Sequence, residues 1–406
     1  MTLTPISAGP TLLIGQSGGA TAAINASLAG VIAAAQASGA FPRILGMLHG
    51  ANGLMGADFM DLTGLDAATL DGLRRTPSSA LGTSRRKLTE AELDPALDLL
   101  AAHGITAMVY IGGNDSADTA HRLAAHAAAR KQALQVIAVP KTVDNDLLET
   151  DFCPGYPSMA KAIATYVRDA TWDTLSSAEL YPVKFIEVAG RDAGWVAAAG
   201  GLGFSDEEIA ADLAPRILLP EKKPESAEVV IADVQDDLAR RGWSVVVVPE
   251  TLTQQDGVAF DGGAADWTDD FGHVYHASTG AALARLTRSH LDIRARFEKP
   301  GSALRMAMAL ASPVDLAMAW DLGQEAVAAL LRGETARMTA LQRTSSAPYA
   351  ATVTTVPVQG IANQVRRLPE AWQETANVEG NRPFREWALP LLGEAPFLPY
   401  TRLRGA

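Results

Sequence analysis

A two-domain α/β protein with mainly parallel sheets is the fold class this chain predicts, and three observations predict it. Short apolar runs rich in β-branched residues alternate with Ala-rich helical stretches, the runs lack polar alternation, and Gly-rich or acidic loops follow them directly. A parallel strand is covered by helices on both faces, so it reads as a short continuous hydrophobic run. Alternation of such runs with helical stretches is the α/β signature. The 406 residues exceed what one hydrophobic core usually supports, which sets the domain number at two.

Taken in order, Thr11-Leu12-Leu13-Ile14-Gly15 reads as the first strand, followed by Gln16-Ser17-Gly18-Gly19-Ala20 and a helix over about 22–37. Ala107-Met108-Val109-Tyr110-Ile111 reads as another strand, ending in Gly112-Gly113-Asn114-Asp115-Ser116 with a helix from about 117. Leu134-Gln135-Val136-Ile137-Ala138-Val139 runs into Pro140-Lys141-Thr142-Val143-Asp144-Asn145-Asp146. These three units place their loops on one edge of one parallel sheet. A second sheet of the same construction is read from Phe185-Ile186-Glu187-Val188 before Ala189-Gly190-Arg191-Asp192-Ala193-Gly194, and from the 244–248 run before Pro249-Glu250-Thr251. No long low-complexity linker divides the halves, although 220–225 is a charged, Pro-containing loop.

Bulk properties bound the function without choosing it. The chain is 48% hydrophobic and 20% charged, as expected of a soluble globular protein with substantial cores. A formal charge of −12 argues against nucleic acid as a partner, because a phosphate backbone demands a basic surface. Any anion site must then be a local positive pocket. Cys153 is the single cysteine, which precludes an intrachain disulfide or Cys-rich zinc site and suits a cytoplasmic location. No run approaches the roughly 20 apolar residues of a membrane span, and no signal-like segment opens the chain.

Ligands of open α/β sheets bind just beyond the carboxyl ends of the strands. The loop after Pro140 puts Lys141, a hydroxyl and two carboxylates there, as expected of chemistry on an anion with an Asp as base. Its Pro and Asn-Asp also fit a capped turn leading into a helix. The glycine loops let backbone amides approach a phosphate, and the following helices add unpaired N–H groups and a positive dipole end. Neither loop matches the P-loop or the full dinucleotide fingerprint. Each alone is equally a tight strand-to-helix connection, and their weight comes from recurring with the Asp/Lys loop in consecutive units. Asp269, Asp270, His273 and His276 read as a polar surface loop rather than a metal cluster.

Gly18-Gly19 with Asn25, Gly112 to Ser116, Lys141-Thr142-Val143-Asp144-Asn145-Asp146, Gly190-Arg191-Asp192-Ala193-Gly194 and Pro249-Glu250 occur in the order seen in the phosphofructokinases. The chain resembles that family from about Leu12 to at least Gly333, and most resembles its pyrophosphate-dependent members. The resemblance implies two Rossmann-like domains of the phosphofructokinase fold. Residues 1–155 with about 306–355 would hold the phosphoryl donor, and 156–305 with about 356–406 would hold fructose 6-phosphate. It further implies reversible phosphoryl transfer to the sugar 1-hydroxyl, with Mg2+, in a homo-oligomer of two or four subunits whose sites take groups from a neighbour.

Carried over by position, Asp144 matches the family's base, Thr142 a residue that holds the reacting groups, and Arg85 and Arg191 the arginines that stabilise the moving phosphoryl. Gly18, Gly19 and Gly113 match the donor loops. Val143, Asp146, Ala189, Gly190 and Glu250 match acceptor contacts, and Arg296 and Arg305 fit the sugar 6-phosphate. Ser302 replaces an aromatic or histidine. Lys184 lies near, but out of register with, a further family arginine. In ATP-using members the positions of Asp115 and Lys141 are glycines that leave room for a nucleotide; here both are filled, as in pyrophosphate-dependent members. Ala51 stands where an adenine-stacking aromatic is expected. The family's magnesium-associated aspartate is Asn114, which leaves the metal mainly to the donor, with Asn114 or Asp115 contributing directly or through water. The alternatives are an ATP-dependent phosphofructokinase and, prompted by Asn114 and Ser302, a non-catalytic sugar-phosphate-binding regulator.

Overall fold

A computed structural model describes residues 9–260, 265–268, 274–276, 278–374 and 381–403. The strands in chain order are β1 (Thr11–Gln16), β2 (Arg43–Met47), β3 (Phe59–Asp61), β4 (Ile105–Gly112), β5 (Gln135–Pro140), β6 (Val183–Val188) and β7 (Arg216–Ile217). They continue with β8 (Ser244–Pro249), β9 (Ala265–Thr268), β10 (Val274–His276), β11 (Ala295–Glu298), β12 (Arg337–Ser346) and β13 (Tyr349–Pro357). The described residues fall into two compact units. One runs to Gly155 and resumes over Pro313–Val365; the other comprises Tyr156–Ser312 and the chain from Arg366.

The first unit holds a seven-stranded sheet in the order β13-β12-β5-β4-β1-β2-β3. Its central strands are parallel, and β3 and β13 pair antiparallel at the two edges. Every residue of β1 is buried, and Leu13, Met47, Leu97, Leu100, Met108, Leu123 and Val136 share one core. The register pairs Gln16 with Ile111 and Gly112 with Pro140, so the loops after β1, β4 and β5 leave the same edge at the same level. The second unit holds the all-parallel sheet β11-β6-β8-β7 over a core of Val183, Phe185, Val230, Val234, Val246 and Leu283, with β9 and β10 as a separate antiparallel pair. Among the described residues, no helix is long and apolar enough to cross a membrane.

Two sequence expectations shift in detail. The helix after β4 is Asn114–Ala129 rather than starting near 117. It starts early because Gly112 leaves space for the turn: a Cβ there would stand 2.0 Å from Ser116 Oγ. Asn114 and Asp115 therefore belong to a first helical turn rather than a loop. The chain after β5 does not turn into a helix, since the next one, Tyr156–Ser176, begins sixteen residues after Pro140. Instead Thr142 bridges to Gly155 in parallel fashion and donates its N–H to Pro154 O at 3.1 Å.

Helices Ile24–Ser38 and Pro313–Leu331 cover the first sheet and meet backbone to backbone. A Cβ on Gly30 would stand 2.3 Å from Trp320 O, and one on Gly323 2.2 Å from Ser27 O. Neither neighbour is a flexible side chain that could move aside, so the helices would have to separate. Gly323→Ala should therefore cost about 1–3 kcal/mol or more, as overpacking does. A urea midpoint unchanged from the parent would contradict this packing.

Candidate active site

In the first unit the loops leaving β1 and β5 are tied together by a buried cation. Lys141 is 2% exposed, and its Nζ donates to Gly19 O at 2.7 Å. The backbone of Gly18 is left-handed, at φ 77°, and a Cβ there would lie 3.2 Å from that amine. Glycine at 18 thus serves both the turn and the approach of the ammonium. The same loop binds the segment carrying Arg85. Gly18 N–H donates to Ser84 O at 3.3 Å, and Thr83 Oγ1 donates to Gly18 O at 2.5 Å.

Two wholly buried amides hold that arrangement from below. Gln16 Nε2 donates to Asn25 Oδ1 at 3.0 Å, while Gln16 Oε1 accepts from Ser79 Oγ at 2.8 Å and Leu81 N–H at 3.0 Å. Asn25 also receives the Ala80 N–H at 3.0 Å and donates to Thr76 O at 2.9 Å. Thr21 Oγ1 accepts from Ala23 and Ile24 N–H, bracing the turn into the helix that follows. Arg85 is exposed at the end of the segment so fixed.

The loop after β5 carries two carboxylates. Thr142 Oγ1 accepts the Asp144 N–H at 3.1 Å. Asp146 Oδ1 is buried and has no hydrogen-bond partner among the described residues. Burial, then the negative charge of Asp144, pushes the Asp146 carboxyl up to about 7, against the pull of its own backbone N–H, the Thr142 hydroxyl and the Lys141 charge. Val143 is buried beneath them. Asn145, at φ 54°, accepts the Cys153 N–H at 2.8 Å and turns the chain between the two aspartates. Asp315, wholly buried, accepts the Gly155 N–H at 2.9 Å and so anchors the strand-like partner of Thr142.

Asn114 and Asp115 lie at the start of their helix beside Gly113, and both side chains are engaged. Asn114 Oδ1 accepts the Asn363 N–H at 2.6 Å while its Nδ2 donates to Gln364 O. Asp115 pairs with Lys87 at 2.5 Å. Ala51 is buried and opens the helix Ala51–Gly56. Among the described residues no group of three His, Cys, Asp or Glu side chains could hold a metal ion. Asp269, Asp270 and His273 lie outside the described residues.

In the second unit Ala189, Gly190 and Arg191 leave the carboxyl end of β6, and Glu250 that of the neighbouring β8. The strands pair Val188 with Pro249, and Glu250 N–H donates to Val188 O at 2.7 Å, which places the two loops side by side. Ser302 and Arg305 lie on the short helix Ser302–Arg305, where Arg305 Nε is buried without a partner among the described residues. Arg296 is apart from this group. It sits opposite Lys184, near the amino end of β6, over the ring of Tyr181 at 3.7 Å and near Asp173 at 3.6 Å. Lys184 is buried between Asp173 at 2.7 Å and Glu298 at 3.0 Å, so its charge is consumed within the fold.

Sequence reasoning missed Gln16, Asp315 and Glu187. Glu187 is buried; it accepts from Ser278 Oγ at 2.6 Å and Gly280 N–H at 2.8 Å, and pairs with Lys299 at 2.6 Å, just before Gly301 and Ser302. A glutamate within an apolar strand run was the available signal for it. Nothing local marked the other two.

Glycine loops and a buried ammonium at one sheet edge, with paired carboxylates beside them, define a phosphate-handling α/β protein. The chain belongs to the phosphofructokinase family: the family model named Phosphofructokinase matches residues 11–330. It is 38% identical over 397 residues to the pyrophosphate–fructose 6-phosphate 1-phosphotransferase of Xanthomonas campestris pv. campestris (strain B100), covering 95% of this chain and 92% of that protein. The protein of the same name from Methylococcus capsulatus is 35% identical, with the same coverage. Among solved structures, the pyrophosphate-dependent phosphofructokinase from Nitrosospira multiformis matches with a TM-score of 0.85 at 32% identity, over 97% of this chain and 94% of that one.

The Asp146 carboxyl supplies a pH test. Its folded value of about 7 lies above the ordinary 3.8, so folding favours the protonated form. The cost of ionising it is absent below pH about 4, grows up to pH about 7 and is constant above; its ceiling is about 4 kcal/mol at about 1.4 kcal/mol per unit. Asp146→Asn should therefore gain stability over the parent across that window. A difference in unfolding free energy that stays flat from pH 4 to 8 would refute the raised value.

Proposed function

We propose that the chain catalyses reversible, magnesium-dependent phosphoryl transfer from pyrophosphate to the 1-hydroxyl of fructose 6-phosphate, giving fructose 1,6-bisphosphate and phosphate. One observation carries the choice of donor: the Lys141 ammonium occupies the glycine loop, 2.7 Å from Gly19 O. A fixed positive charge there suits a compact inorganic anion and fills space that a nucleotide would need. The relatives named for pyrophosphate support the same reading.

Phosphoryl transfer asks little covalent chemistry of a protein and much alignment and positive charge. In this reading Asp144 accepts the proton of the 1-hydroxyl as the new bond forms, and Thr142, bonded to the Asp144 N–H, holds that carboxylate in line. Arg85 and Arg191 bind the equatorial oxygens, for which the planar guanidinium is suited. Lys141 compensates charge on the departing phosphate. Gly18, Gly19 and Gly113 offer backbone amides to the donor, and Glu250 binds sugar hydroxyls. The first unit would thus serve the donor and the second the acceptor.

The residues fit magnesium in the form that depends on substrate. The ion commonly takes one or two carboxylates together with phosphate oxygens, and Asp146 Oδ1 is a buried oxygen with no partner among the described residues. Asp146 would hold it together with the donor's oxygens; when bound it would neutralise charge on the donor. Arg296, at the opposite end of β6 from Arg191, supports a homo-oligomer in which it serves a neighbour's sugar phosphate. The charge of −12 disfavours nucleic acid and anionic membrane surfaces as partners, and the single cysteine suits the cytoplasm.

Activity with pyrophosphate against ATP at equal magnesium is the deciding assay, and a folded protein that turns over with neither donor sinks the proposal. Asp144→Ala should lower kcat by about 10²–10⁴ while calorimetry still detects fructose 6-phosphate binding; loss of binding with turnover retained would contradict its role as base. Mixing inactive Asp144→Ala with Arg296→Ala, after subunit exchange, should restore activity in sites that combine one intact half from each chain. Mixtures no more active than Arg296→Ala alone would place Arg296 in its own chain's site or outside any site.

A further inference from the structure

The turn carrying Arg191 is closed at its first residue and tied at its last. Gly190 is at φ 106°, and a Cβ there would stand 2.9 Å from Ala193 O. At the other end, Gly194 N–H donates to Glu221 Oε1 at 2.9 Å, and a Cβ on Gly194 would stand 2.6 Å from Oε2 of the same carboxylate. Glu221 comes from the charged loop after β7, which the sequence marks only as a connection. Its Oε1 accepts a second amide, the Leu368 N–H, also at 2.9 Å. Gly194 and Leu368 are both buried, so neither amide has water as a substitute partner. Oε2 is buried with no partner among the described residues.

The next residue repeats the pattern. Trp195 Nε1 donates to Arg366 O at 2.9 Å, the Arg366 guanidinium lies 4.5 Å from the Trp195 ring centre, and Tyr156 donates its hydroxyl to Trp195 O at 3.2 Å. Trp195 packs with Trp372, Phe384 and Trp387. The backbone at 194–195 is therefore held through one carboxylate and one aromatic cluster, both of which depend on the returning segment that starts at Arg366.

We propose that Glu221 is a positioning residue for phosphoryl transfer: by joining the Gly194 and Leu368 amides it locks the turn that presents Gly190 and Arg191 to the acceptor. The proposal rests on the role of Arg191 given above and adds the group that fixes it. A carboxylate is needed because charge strengthens both N–H bonds at once. In Glu221→Gln the oxygen survives, but an NH2 donor replaces Oε2 where no acceptor is at hand, so this variant falls between parent and Glu221→Ala.

The test is a double-mutant cycle between Glu221→Ala and Arg191→Ala, with melting curves to confirm that each variant is folded at the assay temperature. Glu221→Ala should raise KM for fructose 6-phosphate and lower kcat, together about 10-fold or more in kcat/KM, and leave KM for pyrophosphate within about twofold; added to Arg191→Ala it should cost less than about twofold further, because coupled sites are non-additive. If Glu221→Ala does not fold, Glu221→Gln carries the cycle. Losses that multiply in the Arg191→Ala background, or a shift in KM for pyrophosphate instead, overturn the role of Glu221 alone. Parent-like kcat/KM in Arg191→Ala overturns the role of Arg191 and this proposal with it. The same cycle run as calorimetric titration with fructose 6-phosphate reads the coupling without turnover, so a wrong donor assignment does not mask it.

Discussion

The buried ammonium of Lys141 constrains the first unit more than any other group. An amine 2% exposed is costly unless oxygens replace its water, and the structure brings Gly19 O to 2.7 Å and the field of Asp146 nearby. That arrangement requires β1, β4 and β5 to end level, glycine at 18, and the Arg85 segment to close over the loop from the other side. Gln16 and Asn25 secure this last requirement by satisfying three backbone groups and the Ser79 hydroxyl of residues 76–81 with two buried amides. The cation, the turn and the arginine segment are thus one device.

Elements whose information is local were legible in the sequence. The strands at 11–16, 105–112, 135–140, 183–188 and 244–249 announce themselves as apolar runs because both sheet faces are covered, and the loops that follow them are where the parallel architecture must place a site. The start of the helix at Asn114 was misjudged by three residues because the decisive contact, Ser116 against Gly112, is invisible to periodicity. The long irregular course from Lys141 to Gly155 was equally hidden. It is stabilised by Asp315, whose carboxylate reaches Gly155 across 160 residues of chain.

Function was legible through residue types, and geometry redistributed them. The loops carrying Arg191 and Glu250 lie side by side because β6 and β8 are neighbours, which no spacing in sequence reveals. Arg296 was read as a sugar-phosphate ligand and Lys184 as lying near a further family arginine, yet one stacks on Tyr181 while the other is neutralised between two acids. A strand pairing register decided that difference, placing Arg296 opposite Lys184, four residues from the end of β6.

Asn114 ties the first turn of its helix to a distant part of the chain. Its amide accepts from Asn363 N–H and donates to Gln364 O, two bonds of opposite sense that fasten one chain segment to the first turn of the helix. An aspartate could make the first bond but would set a carboxylate oxygen against the Gln364 carbonyl and so lose the second. The asparagine therefore serves as a fastening between the helix and residues 363–364. Asp115, the nearest other acid, is already paired with Lys87. In the proposed reaction the negative charge that meets magnesium then falls to Asp146, whose carboxyl is pushed up by burial and then by the charge of Asp144 in the free protein, a shift that a divalent ion would oppose.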